Sequence, residues 1–493
     1  MAEHSNKMHE HQRHVYYDLK RFLENPPEGC RIAVLTGIRR IGKTSVLTDL
    51  RASLPDTEYI DFSKNRNTDE ERKTCLEFAQ AGTGILLIDE ITQLPNYEAL
   101  VEGIERTVYN GAQNLRVVFT GSSSLHLLAL KSGLLGAGRA KLFRMSFLSF
   151  AEYLVFTGKK EDYCFAGSTD LSAEDFKNYL QLKNLPAAGL RISFDREYMV
   201  DLYKDIELSN QSSRNPGAFA SITVDDILSV LDLVAYTLQN VTSWAVFRNP
   251  DGVRELTPVG VTDVDMTGLR VYVSSRQLKS AMSPQNMARA LYYLIVANLA
   301  YVEVEHSDPQ KVSASDLARY LFDIRTGMEL EAVFAKYNIC LVSPLWYMFL
   351  AKEILEQHGV SASKLLDTPV IGEVLENYVK GSYCRWQSHQ YEYEVSKIGS
   401  ARHARTNEER VKAKEVDLCD VHRKLLCEIT VSNKKWSAVH LLDHFSDAEF
   451  IRVLATRDHT DPHMGIHRIP YPKLCAMVDT GEVFGLSRST GNV

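Results

Sequence analysis

Apolar positions in the first third of the chain change period several times. The stretch VYYDLKRFL, Val15 to Leu23, has helical spacing, and Pro26, Pro27 and Gly29 end it. Residues 32–36 are an unbroken apolar or small run, as in a buried parallel strand. Val46, Leu47 and Leu50 then restore helical spacing. Tyr59 to Phe62 predicts a short strand, and the charged segment 63–83 predicts helix over its second half. Two further apolar runs, 84–88 and 115–120, read as strands. Strands alternating with helices predict an α/β fold, a parallel sheet with helices on both faces.

The first strand runs directly into Gly37-Ile38-Arg39-Arg40-Ile41-Gly42-Lys43-Thr44, which fits the G-x-x-x-x-G-K-[ST] phosphate loop, with Ser45 next. Gly37 lets the chain leave the strand sharply, and Gly42 brings bare backbone close to phosphate. Amides from about Arg40 to Ser45 then face inward at a helix N-terminus, where the helix dipole favours anions. Lys43 is placed for the β- and γ-phosphates of ATP and the Thr44 hydroxyl for Mg²⁺. Arg39 and Arg40 are expected to anchor the loop.

The run 84–88 ends in Asp89-Glu90. Ligands of open α/β sheets bind at the carboxyl ends of the strands, so both acids are expected beside the phosphate loop. Asp89 suits Mg²⁺, and Glu90 suits the general base that polarises water. At the end of the 115–120 strand, Thr120 or Ser122 could sense the γ-phosphate or orient water. A serine-rich turn capping the next helix explains the same residues.

These motifs continue into SGLLGAGRAKLFRMSFLSFAEY, residues 132–153. The series G-I-R-R-x-G-K-T, L-L-I-D-E-I, V-F-T-G-S-S, Gly-Arg and S-F-x-E-Y-L resembles the prokaryotic AAA-type P-loop ATPases that carry a C-terminal restriction-endonuclease-like domain. The family has Pro-Leu-Ser-Phe where this chain reads Phe147-Leu148-Ser149-Phe150. The resemblance implies a P-loop NTPase core, a helical lid, a winged-helix-like domain and a C-terminal α/β domain. The expected boundaries are a helical segment over 1–29, the ATPase core over 30–157, the lid over 158–220, the winged helix over 221–345 and the nuclease-like domain over 346–493. Arg139 matches the family's Gly-Arg pair and is expected near the γ-phosphate, in its own subunit or across to a neighbour, with a surface salt bridge alone as the other reading.

The second half carries two further patterns. Helical stretches at 274–282 and 286–297, with Pro284 at a first turn, followed by a strand at 300–305, fit a winged helix. Arg289 is the one cation of the second helix, and Glu303 and Glu305 lie on the strand, so packing or partner docking suits it better than phosphate contact. Farther on, Glu376 lies on a predicted helix, and 415–419 with 425–431 predict a hairpin bearing Asp417 and Glu428. A restriction-endonuclease fold binds Mg²⁺ with such acids and places a lysine two residues after the glutamate. That position is Thr430 here, leaving Lys434 or Lys435 to reach in, so a retained fold with a silent site is the plainer expectation.

Composition narrows the classes. A net charge of −7 argues against coating nucleic acid or membrane by bulk charge. Eight cysteines without a C-x-x-C pair fit reduced thiols in the cytoplasm. The N-terminus lacks a signal-peptide pattern, and no apolar run is long enough for a bilayer. The leading expectation is an ATP-hydrolysing switch using ATP and Mg²⁺. The alternatives are an ATP-gated nuclease or nucleic-acid effector, and a nucleotide-binding assembly protein. Nucleic acid, a protein partner and a homo-oligomer stay open.

Overall fold

The computed structural model describes residues 12–63, 68–110, 114–121, 139–184, 284–297, 299–305, 338–341, 370–391, 397–402, 415–420, 423–431, 451–457 and 466–486, with a few isolated positions between them. The chain divides into two compact units: residues up to Leu148 lie in the first, and nearly all described residues from Ser149 onward lie in the second.

The first unit is a five-stranded parallel sheet. Its strands are β1 (Ile32–Thr36), β2 (Thr57–Asp61), β3 (Thr83–Asp89), β4 (Asn114–Thr120) and β5 (Ala140–Arg144), in the order β2-β3-β4-β1-β5. All five residues of β1 are buried, as expected of a central strand covered on both faces. One face packs Ile32, Val34, Ile88, Val117 and Phe119 against α3 (Thr68–Ala81) and α4 (Tyr97–Asn110). The other is covered by α1 (His14–Glu24) and α2 (Lys43–Ser53). There Val46, Leu47 and Leu50 are buried, and Phe22 of α1 meets Phe143 of β5 edge to face at 5.5 Å.

The second unit begins with α5 (Phe150–Phe156) and α6 (Ala173–Leu180), which pack with α8 (Val370–Tyr391) and α9 (Tyr471–Thr480). Between them in the chain lies α7 (Pro284–Val296). Ser149 caps α5 with a capping box shared with Glu152. The next amides are satisfied from far along the chain: Phe150 donates to the Tyr378 phenol at 2.6 Å and Ala151 to Asp479 at 2.9 Å. Tyr378 in turn donates to Asp479 at 2.6 Å, and Arg385 lies 3.3 Å from the other carboxylate oxygen. Phe150, Phe176, Tyr179, Tyr378 and Tyr471 surround this network with edge-to-face contacts. The expected core–lid boundary at 157/158 therefore falls inside the second unit. The described part of the expected lid, 158–184, packs with C-terminal helices; residues 185–220 lie outside the described residues.

Two four-stranded sheets complete this unit. In one, β6 (Ala300–Glu305) pairs antiparallel with β7 (Asn338–Leu341) and parallel with β8 (Lys397–Arg402), which pairs with β9 (Glu415–Val416). The other orders β10 (Leu418–Asp420), β11 (Leu425–Glu428), β12 (Ile451–Thr456) and β13 (His467–Pro470). The helix and strand expected at 286–297 and 300–305 are present as α7 and β6. Because β6 bonds to β8, the expected boundary at 345/346 crosses this sheet. The helix expected at 274–282 lies outside the described residues.

Candidate nucleotide site

The phosphate loop lies where β1 ends. Gly37 has φ +152°, and a Cβ there would meet Ile41 Cδ1 and the Met145 carbonyl at 2.5 Å, so the position admits no side chain. Arg40 at φ 63° and Gly42 at φ 95° turn the intervening backbone into an anion-accepting curl. Helix α2 then starts at Lys43 with no side-chain cap on its amides. The Lys43 ammonium is buried and donates to the carbonyls of Gly37 at 2.6 Å and Ile38 at 2.9 Å, which keeps it over the loop.

A residue outside the motif anchors the loop. Buried Arg13, preceding α1, donates from Nη1 to the Ile41 carbonyl at 2.8 Å. Its Nη2 donates to Ser146 O at 2.9 Å and to Phe147 O at 3.4 Å. Arg39 is half-buried and Arg40 exposed at the loop surface.

Asp89 ends β3 and is 1% exposed. Its Oδ1 accepts from the Glu90 amide at 3.1 Å and its Oδ2 from the Tyr59 phenol at 3.0 Å. The Thr44 side chain of α2 lies close enough to favour the charged carboxylate. Burial raises the Asp89 carboxyl above its ordinary range, with Thr44 and the Tyr59 bond acting against that rise. Glu90 follows in a left-handed backbone conformation, φ 54°, and accepts from Gln93 Nε2 at 3.2 Å. Thr120 follows Phe119, which is registered with Ile88, so Thr120 ends its strand beside Asp89. Its buried hydroxyl has no hydrogen-bond partner among the described residues. An unpaired hydroxyl and a hydroxyl–carboxylate pair beside a backbone anion cradle fit a triphosphate with a hard, oxygen-seeking cation. Ser122 lies outside the described residues.

Residues 30–154 match the AAA domain family. Over that stretch the chain is similar to AAA domains, and the match spans the parallel sheet and the phosphate loop. No curated protein matches the chain. Among solved structures, a DNA replication initiation factor aligns at 14% identity over 65% of this chain and 86% of its own, with a TM-score of 0.23. The Aeropyrum pernix ORC1 protein in complex with DNA aligns at 13% identity over 72% of this chain and 96% of its own, with a TM-score of 0.24. Scores this low do not establish a shared fold.

Arg139 is not brought to the phosphate loop. It directly precedes β5, and the register of Ile32 with Ala140 puts it at the amino edge of the sheet. A strand the length of β1, roughly 13 Å, separates that edge from the loop. There Arg139 pairs with Glu105 of α4 and lies 5.1 Å from the Tyr109 ring. A role at its own subunit's γ-phosphate is thereby corrected. The arginine at the carboxyl end of β5 is Arg144, registered with Thr36 and buried.

The C-terminal acids do come together. Leu418 pairs with Cys427, which brings Asp417 and Glu428 to the same end of the hairpin, and Asp417 accepts from the Ile429 amide at 2.6 Å. Burial, followed by the charge of Glu376, raises the Asp417 carboxyl well above its ordinary range, and Lys380 opposes the rise. Among the described residues a cation beside these acids is Lys380, buried on α8 and bonded to Glu376 at 2.6 Å. Lys434 and Lys435 lie outside the described residues. Among the described residues no group of three or more His, Cys, Asp or Glu is spaced to hold a metal ion. No helix among the described residues is long and apolar enough to cross a membrane.

Proposed function

We propose that the protein binds ATP with Mg²⁺ and hydrolyses it, and that hydrolysis acts as a switch on the second unit. The observation that carries this reading is Asp89, buried at the end of β3 beside Thr44 of the phosphate-loop helix, with Glu90 adjacent. Amides from Arg40 to Ser45 bind the phosphates, and Lys43 trades its two carbonyl bonds for phosphate oxygens. Thr44 and Asp89 would hold Mg²⁺, which supplies charge neutralisation on the phosphates when bound. Glu90 accepts the proton of the attacking water, and Thr120 orients that water. Support for the switch is the chain connection: the Met145 amide bonds Thr36 O beside the loop, and four residues later the chain reaches Ser149, the cap of α5.

Glu90→Gln tests the assignment. ATP affinity, read by calorimetry, stays within about twofold, while phosphate release falls by roughly 100-fold or more. Undiminished release from this variant overturns Glu90 as the base.

A further inference from the structure

The geometry points to Tyr59 as a positioning residue that sets the orientation of Asp89 toward Mg²⁺, an inference that rests on the Asp89 assignment above. Tyr59 lies in edge strand β2, registered with Leu87, so its side chain shares the α2 face with Asp89 two residues on. The phenol donates to Asp89 Oδ2 at 3.0 Å, while the Glu90 amide donates to Oδ1 at 3.1 Å. The carboxylate is thus held from two sides, β2 and its own strand end, with Thr44 at the head of α2 close by.

The Arg51 guanidinium in the last turn of α2 lies 5.8 Å from the ring centroid, a weak cation–π contact. Tyr59 thus spans from the tail of the phosphate-loop helix to the carboxylate that faces its head. Asp89 is almost fully buried, so a solvent molecule is a poor substitute donor on the β2 side. The backbone ladder from Thr57–Asp61 to Ile85–Asp89 already joins the two strands, and the phenol oxygen adds orientation where pairing is complete. Groups that fix a metal-binding carboxylate in this way control metal affinity more than fold.

The test is Tyr59→Phe in the full chain, which keeps the ring over Arg51 and deletes one oxygen. ATP binding is measured by calorimetry in EDTA and across a Mg²⁺ series, with Asp89→Asn in parallel. Expected for Tyr59→Phe are an EDTA affinity within about twofold of the parent and a Mg²⁺ midpoint raised roughly tenfold. An unmoved midpoint in Tyr59→Phe, with a raised one in Asp89→Asn, overturns the role of Tyr59 alone. An unmoved midpoint in both removes the Mg²⁺ assignment of Asp89, and the inference with it. Equal loss of affinity with and without Mg²⁺, or a melting temperature well below the parent's, makes the phenol a structural prop and also overturns the proposal.

Discussion

Arg13→Ala removes a buried guanidinium whose acceptors are all backbone carbonyls, one of them inside the phosphate loop. Two of its bonds, to Ile41 O at 2.8 Å and Ser146 O at 2.9 Å, are short, and the third, to Phe147 O, is 3.4 Å. A hydrogen bond to a charged group contributes about 1.5–3 kcal/mol, and carbonyls left buried without a donor cost a comparable amount. Allowing for partial relaxation, the substitution is expected to cost about 3 kcal/mol. For a domain of this size that lowers the melting temperature by roughly 6–12 °C. The Ile41 carbonyl immediately precedes Gly42, so ATP affinity is also expected to fall about tenfold. The assay is scanning calorimetry of the full chain with and without ATP. The transition that ATP raises belongs to the nucleotide-binding unit and is the one scored. Arg13→Lys is expected to fall between, because an ammonium lacks the fork that reaches two carbonyls at once. An Arg13→Ala chain with an unchanged ATP-sensitive transition and unchanged ATP affinity refutes the reasoning.

Arg139→Ala, which removes an exposed ion pair with Glu105 at the far edge of the sheet, is expected to leave ATP affinity unchanged and to cost less than about 1 kcal/mol by denaturant titration. Gly481 has φ +77°, and a Cβ there would collide with the Trp386 indole nitrogen, so Gly481→Ala is expected to destabilise the second unit by at least roughly 2 kcal/mol in the same measurement. Burial works against the charge of Asp420, but bonds from Tyr383 and Arg423 hold its carboxyl below the ordinary range. Its folded pKa is the lower one, so its contribution is complete above about pH 4 and is lost as pH falls through that lowered value. Asp420→Asn is therefore expected to cost about 2 kcal/mol at pH 7 and nothing at the acid end of a pH series of unfolding midpoints. A gap that persists undiminished in acid counts against the charge.

The backbone geometry of the candidate nucleotide site was legible because its signals are local. The β1 run, the loop glycines and the Asp-Glu at the end of β3 are short patterns whose chemistry follows from adjacency. Arg13 was not legible, since its partners lie 28 and 133 residues away and are carbonyls that any residue supplies. Arg139 shows the opposite failure. A dipeptide was read without its strand, and Ala140–Arg144 places it at the wrong end of a parallel sheet. A strand reading of AKLFR would have moved attention to Arg144. At the C-terminal acids, the lysine was sought on the strand after Glu428, whereas Lys380 lies one helical turn from Glu376. That i, i+4 pair was visible in sequence, but the sheet packing that brings it to Asp417 was not. Likewise, helix followed by strand at 286–305 cannot reveal that the strand pairs with residues 397–402.

The head of α5 has a consequence for biosynthesis. Its first free amides find their acceptors 228 and 328 residues later, at Tyr378 and Asp479. At ribosomal rates of about 5–20 residues per second, the second acceptor is made roughly 15–65 s after the helix. Throughout that interval Phe150, Tyr153 and Leu154 have no C-terminal helix to bury them, while the five strands of the parallel sheet have all been synthesised. Nascent chains of this protein therefore carry a greasy handle next to a completed sheet, a natural target for holding chaperones. Any stop codon upstream of Asp479 turns that transient exposure into a permanent one.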